Sequence, residues 1–326
     1  MEIKKLKLPK TVHVKATARL HIGFFDLNGS IGRRFGGIGM ALDMPSTEIK
    51  MKVVEASDSC SKDDERLARV VQYFIKSFNL NKNFNVDCLQ EIPVHAGLGS
   101  GTQMALAIGS SINHLCGLNL NYQQIAAVAQ RGARSGIGVG TFEYGGVVVD
   151  AGRGLKTVVP PIIARVAFPD DWRILLIFDK SNVGTHGKQE LNAFQTLPDA
   201  TLASAEKLSH HILMQALPAL AEQDLASFGL AIRELQGHTG EYFASIQGGV
   251  YASKSVEKVL NYLDSQGVSC FGQSSWGPTG FAIFANLNEA EICLKQLELQ
   301  FGNSASLMFQ ICRGLNRGAQ IIADTQ

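Results

Sequence analysis

Pro93-Val94-His95-Ala96-Gly97-Leu98-Gly99-Ser100-Gly101-Thr102-Gln103 is the stretch on which the fold turns. It follows a strand predicted over residues 84–91 and opens a helix predicted over residues 102–116. That helix carries Met104, Ile108, Ile112 and Leu115 on one face and Gly117 as its stop signal. Gly97, Gly99 and Gly101 free the backbone for positive φ and for close approach to a ligand. Ser100 and Thr102 add hydroxyls. The unbonded amides of the first helical turn face the concavity, with about half a positive charge from the dipole. A glycine-rich turn with a simple Ser/Thr cap is the structural alternative. The order strand, bend, helix favours binding of a phosphate or pyrophosphate. The bend is not a Walker loop, because no Gly-Lys-Ser/Thr follows.

On the N-terminal side, apolar–polar alternation predicts strands over residues 11–18 and 48–55. Ser61 is the expected cap of a helix with an apolar stripe of Leu67, Val70, Val71, Phe74 and Phe78. On the C-terminal side, Asn121 caps a short helix over 122–131, and 145–150 read as a buried strand. Residues 152–169, with three prolines and two glycines, suggest a boundary between units at 1–160 and 161–326. Beyond it, strands are predicted over 172–178, 268–272, 281–285 and 306–312, and helices over 202–217, 225–243, 251–266 and 289–301. The irregular interleaving predicts an α+β fold with mixed sheets rather than a doubly wound parallel sheet. No Gly-x-Gly-x-x-Gly fingerprint supports a dinucleotide fold.

A chain of 326 residues suggests about two domains. A net charge of +1 lacks the electrostatic footprint of a nucleic-acid binder. No apolar run reaches the roughly 18 residues a membrane helix needs, and no apolar segment follows the lysine-rich start. The six cysteines form no Cys-x-x-Cys pair, which predicts neither a zinc site nor a disulfide framework. A reduced, cytoplasmic protein is the expectation.

Three segments together resemble the GHMP kinase superfamily. The loop matches that superfamily's second motif through Ser100 and departs at Gly101, where a second serine is usual. Ala16-Thr17-Ala18-Arg19-Leu20-His21-Ile22-Gly23 is similar to its first motif, and Gly272-Gln273-Ser274-Ser275-Trp276-Gly277-Pro278-Thr279-Gly280 to its third. The resemblance implies an N-terminal domain like ribosomal S5 domain 2 and a ferredoxin-like C-terminal domain. It also exposes a departure. Superfamily kinases usually place an aspartate where Ser135-Gly136-Ile137-Gly138 puts Gly138, and glycine neither accepts a proton nor orients a hydroxyl.

These departures resemble a branch of decarboxylating C-riboside synthases of methanopterin biosynthesis. The carrying segments include Phe24-Phe25-Asp26-Leu27-Asn28-Gly29, Gly36-Gly37-Ile38-Gly39 and Thr141-Phe142-Glu143-Tyr144. The branch implies a pentosyltransferase that joins phosphoribosyl pyrophosphate to 4-aminobenzoate, releasing CO₂ and pyrophosphate. Mg²⁺, no organic cofactor and a homodimer are implied with it. Two alternatives stand beside this: an ATP-dependent kinase in which Asp26 or Glu143 replaces the missing base, and a non-catalytic phospho-ligand-binding protein.

On this reading Gly97, Leu98, Gly99, Ser100, Gly101 and Thr102 hold the pyrophosphate. Ser274, Ser275 and Trp276 close the cleft from the second domain. Arg19 clamps a carboxylate or phosphate, with a surface ion pair as its alternative. His21, Asp26 and His95 are the candidate catalytic groups, Asp26 also a possible metal ligand, and Glu143 a candidate substrate contact. Arg33 and Arg34 are candidate 5′-phosphate contacts, with solvated arginines as the alternative. His13, His114, His210 and His211 are taken as structural.

Overall fold

The computed structural model describes residues 8–55, 65–181, 197, 200–275 and 277–324. Ten strands are found among them: β1 Thr11–Asp26, β2 Arg34–Val54, β3 Asn83–Gln90, β4 Val147–Arg153, β5 Ile162–Val166, β6 Arg173–Asp179, β7 Cys270–Gln273, β8 Gly280–Phe284, β9 Leu307–Cys312 and β10 Gln320–Asp324. They form a six-stranded sheet in the order β10-β1-β2-β4-β5, with β3 also on β2, and a four-stranded sheet in the order β7-β8-β6-β9. Every ladder is antiparallel. The expectation of mixed sheets is corrected. The helix Leu287–Phe301 carries the chain from β8 to β9, which run the same way, but β6 lies between them and pairs antiparallel with both.

The helices are α1 Glu65–Phe78, α2 Ser100–Cys116, α3 Tyr122–Val128, α4 Ile137–Tyr144, α5 Leu202–His211, α6 Leu217–Glu222, α7 Leu225–Gln247, α8 Lys254–Ser265 and α9 Leu287–Phe301. A π-helical turn, Ile212–Ala216, joins α5 to α6. The expected cap Ser61 lies outside the described residues. Asn121 makes a full capping box: its Oδ1 accepts from Gln124 N at 2.8 Å, and Gln124 Oε1 accepts from Asn121 N at 2.9 Å.

Two cores meet along β1. Val12, Val14 and Ala16 pack with the apolar faces of α1 and α2, including Phe74, Ile108 and Ile112. Ala18, Leu20 and Ile22 pack instead with Ile174, Leu176, Phe228 and Leu235 of the second unit. The ladder to β2 is irregular between Thr17 and Arg19, where the strand passes from one core to the other. Full burial of each such aliphatic chain contributes about 1.5–3 kcal/mol. One rigid strand therefore carries Arg19 and His21 to the junction of the halves. The boundary expected at residue 160 falls inside the first sheet, because β5 and the late strand β10 both belong to it. Among the described residues, no helix is long and apolar enough to cross a membrane.

Candidate active site

Ser100 opens α2 behind Gly99, whose backbone is left-handed at φ 84. Thr102 N and Gln103 N both turn back onto Gly99 O at 3.0 Å. The amides of Gly99, Ser100 and Gly101 have no acceptor among the described residues, so the helix N-terminus is open to an anion. The rest of the loop is committed to holding this shape. Leu98 is a core residue, 1% exposed, and its carbonyl accepts from Arg19 N at 3.1 Å. Gly97 O accepts from Arg19 Nη1 at 2.6 Å and from Ser274 Oγ at 2.8 Å.

The third motif seats on this loop from the second unit. Ser274 Oγ accepts from His21 N at 3.2 Å, and Ser275 N donates to His21 O at 2.9 Å. On α7, Gln236 donates from Nε2 to Ile22 O and to Gln273 O, and accepts from Gln273 N at 2.8 Å. A single buried amide thus joins β1, β7 and α7.

Between the halves lies a cleft of about 270 Å³. Arg19, His21, Phe24, Thr102, Gln130, Arg131, Arg134, Ser135, Gly138 and Ser275 are among its lining residues, and no carboxylate of the described residues is. A Cβ on Gly101 would lie 3.5 Å from the Arg131 guanidinium, which places that charge against the first turn of α2. Guanidinium groups keep their charge at any physiological pH. The cleft therefore suits a multiply charged anion.

His21 is 4% exposed, and neither ring nitrogen has a partner among the described residues. Its ring lies 4.5 Å from that of Phe24. Burial, then the neighbouring Arg19, holds its pKa down at about 3, so the imidazole is neutral at pH 7. It can donate one hydrogen bond and accept one, but has no proton to give as an imidazolium. Beside it is a small chamber of about 20 Å³ whose lining includes Gln236, Gln247, Gln273 and Thr239, room for about one water.

Asp150 braces the opposite wall. Its Oδ2 accepts from Ser135 Oγ at 2.9 Å and Gly136 N at 2.7 Å, and its Oδ1 from Gly152 N at 2.8 Å. Burial nevertheless raises its pKa to about 6 against the pull of those donors. The bracing fixes the start of α4 and so the position of Gly138. A Cβ there would come within 3.0 Å of Thr102 Cγ2, tight even for alanine.

Of the residues singled out in the sequence, Arg19, His21, Thr102 and Ser275 line the cleft. Ser274 stands behind it, tying the two loops. Asp26 is withdrawn: its Oδ1 accepts from Asn28 N at 2.9 Å and Gly29 N at 3.3 Å, making it the turn-former between β1 and β2. His95 is exposed, with φ 61, and is not among the residues lining the cleft. Glu143 sits on the last turn of α4, facing Gln123 Nε2 at 3.4 Å, away from the cleft. Arg33 is occupied by the carbonyls of Ala151 and Gly152, and Arg34 by that of Leu27. Trp276 lies outside the described residues. Arg131, Arg134, Gln236 and Asp150 were missed. For the two arginines, the available signal was their place just ahead of Ser135-Gly136.

Among the described residues, no group of three or more His, Cys, Asp or Glu stands ready to hold a metal ion. Mg²⁺ prefers carboxylates or phosphate oxygens, and the described residues that line the cleft offer neither.

Comparison with known proteins agrees with this geometry. The family model GHMP kinases N terminal domain matches residues 65–146, and GHMP kinases C terminal matches residues 216–303. A beta-ribofuranosylphenol 5'-phosphate synthase of Archaeoglobus fulgidus is 33% identical over 329 residues, covering 95% of this chain and 99% of its own length. Its namesake in Methanocaldococcus jannaschii is 35% identical over 300 residues, covering 82% and 88%. The homoserine kinase of Cytophaga hutchinsonii superposes with a TM-score of 0.69 at 16% identity, covering 99% of this chain and 100% of its own, a likeness of fold.

Proposed function

The chain belongs to the GHMP kinase family, and from that premise we propose that it is a decarboxylating C-riboside 5′-phosphate synthase and not a kinase. The observation that carries this is the cleft itself: three arginines beside Thr102 of the first turn of α2, with no carboxylate among the described residues that line it. Phosphoryl transfer to a hydroxyl needs a base or an orienting carboxylate, and Gly138 offers neither. Displacement of pyrophosphate from phosphoribosyl pyrophosphate needs fixed positive charge where the leaving group gathers negative charge.

The reaction needs no proton from the protein. A para amino or hydroxyl group pushes electron density onto the ring carbon that bears the carboxylate. That carbon forms a bond to C1′ as the C1′–O bond to pyrophosphate breaks. The ring–carboxylate bond then breaks, CO₂ leaves and its electron pair restores aromaticity. A neutral His21 suits this chemistry as an orienting group. Arg19 holds the loop while facing the substrate, and Arg131 and Arg134 offset the charge of the pyrophosphate. A divalent cation enters on the pyrophosphate oxygens as part of the substrate. The protein is placed in the cytoplasm as a homodimer by the same reading.

The A. fulgidus and M. jannaschii relatives are named for a ribofuranosylphenol. That name favours 4-hydroxybenzoate beside the 4-aminobenzoate expected from the sequence. The test is incubation with phosphoribosyl pyrophosphate, Mg²⁺ and either acid labelled in its carboxyl group. Release of labelled CO₂ dependent on phosphoribosyl pyrophosphate is expected. No release from either acid, with ATP-dependent phosphorylation of a hydroxyl compound instead, overturns the reading in favour of the kinase.

A further inference from the structure

We propose that the aromatic acid binds in a second cavity, which adjoins the cationic cleft at Phe24. This rests on the C-riboside reading and adds the location of the ring. The cavity holds about 290 Å³ between the end of β1 and helices α5 and α7, enough for a single substituted benzene ring. Phe24, Leu27, Leu208 and Tyr242 give it an apolar lining, and His238 and Glu241 bring polar groups to it.

Three observations select it. First, Phe24 lines both this cavity and the cleft, so the two spaces adjoin at one side chain. A nucleophilic ring carbon must come within about 3–3.5 Å of C1′, which requires such adjacency. Second, the alternatives fail on size or chemistry. The chamber beside His21 holds only about 20 Å³. The cavity at Gly101 sets Tyr73 and Met104 among Arg66, Arg69 and Arg131, and three guanidinium groups suit a further anion better than an aryl acid whose single carboxylate must face the cleft. The cavity at the end of α8 shares no residue with the cleft. Third, charge orients the ligand. The carboxylate is drawn toward the arginines of the cleft and away from Glu241. The ring carbon that bears it then faces C1′, and the para substituent lies in the cavity, where His238, Glu241 and the hydroxyls of Thr201, Ser204 and Thr239 are able to read amino against hydroxyl.

The test fills the cavity from a wall that touches neither the loop nor the cleft. Ala205 lines the cavity and is 6% exposed. Ala205→Phe is expected to raise KM for the aromatic acid by about tenfold or more. KM for phosphoribosyl pyrophosphate should stay within about twofold. Tyr242→Ala, on a half-buried side chain, serves if Ala205→Phe does not fold and is expected to give the same split. An unchanged KM for the acid in the folded variant overturns the assignment and leaves the C-riboside reading standing. If the wild-type protein releases no CO₂, calorimetric titration with 4-hydroxybenzoate decides independently. Binding that is lost on filling the cavity supports the site, and no binding, or binding that persists, overturns it.

Discussion

Gly97 and Gly277 meet backbone to backbone at the junction of the two halves: a Cβ on Gly277 would lie 2.3 Å from Gly97 Cα and 2.5 Å from Ala96 O. That crowding by itself demands glycine there. Gly277→Ala should push the third motif off the phosphate loop. We expect a loss of about 1–3 kcal/mol in denaturant unfolding, with a higher KM for phosphoribosyl pyrophosphate. Gly237→Ala, in the interior of α7 with nothing within 4 Å of its Cβ, should instead stabilise by about 0.5–1 kcal/mol.

Arg19 reaches the loop through Nη1, which donates to Gly97 O at 2.6 Å, while its stem lies along Gly99. Lysine keeps the charge but loses the planar fork. In steady-state kinetics, Arg19→Lys should raise KM for phosphoribosyl pyrophosphate by about tenfold, the effect of one lost charge-assisted hydrogen bond. KM for the aromatic acid should hold. An unchanged KM for phosphoribosyl pyrophosphate would separate Arg19 from the anion.

His21 has its folded-state pKa depressed from 6.5 to about 3. Above pH 6.5 neither the folded nor the unfolded chain binds this proton. As pH falls from 6.5 toward about 3, the unfolded chain takes it up and the folded one does not, so stability drops across that window. The loss should be smaller in His21→Gln. By NMR the ring signals of His21 should not titrate between pH 8 and pH 5. A midpoint near 6.5 would sink the argument for a neutral, buried ring.

Gly138→Asp would put back the carboxylate usual in superfamily kinases. Its Cβ would crowd Thr102 Cγ2 at 3.0 Å, and its charge would enter a cleft built for anions. We expect CO₂ release to fall by about tenfold or more, the kinetic counterpart of roughly 1.4 kcal/mol, with no ATP-dependent phosphotransfer gained. Appearance of phosphotransfer would mean that one side chain separates the two chemistries.

The loop and α2 were legible because glycine density and helical periodicity are local signals. Asn121 and Gly117 were legible for the same reason, whereas β1 runs on past residue 18 to Asp26, β2 starts at Arg34 and not at 48, and β5 and β10 carry no alternation that marks them. Helix α4 was not: Gly138 and Gly140 are poor helix formers, and what holds the element is burial plus the Asp150 carboxylate on Ser135 and Gly136. Asp26, His95 and Glu143 lie close to the motifs in sequence, but side-chain direction decides membership of a site, and each points elsewhere. Arg131 and Arg134 enter the cleft from an irregular connection between α3 and α4, where no period marks which residues turn inward. Gln236 acts across two units, and its role depends on a meeting of β1 and β7 that no local pattern encodes.

The ladder that pairs Thr11–Lys15 with Gln320–Asp324 has a consequence for biogenesis. A growing polypeptide emerges with β1 first and β10 last among the strands, so the edge of the phosphate-binding half stays unzipped while everything between is translated. A bare edge is a template for mispairing with other chains. Maturation of this half therefore waits on residues 320–324, and a nascent product cut short before them is prone to clump.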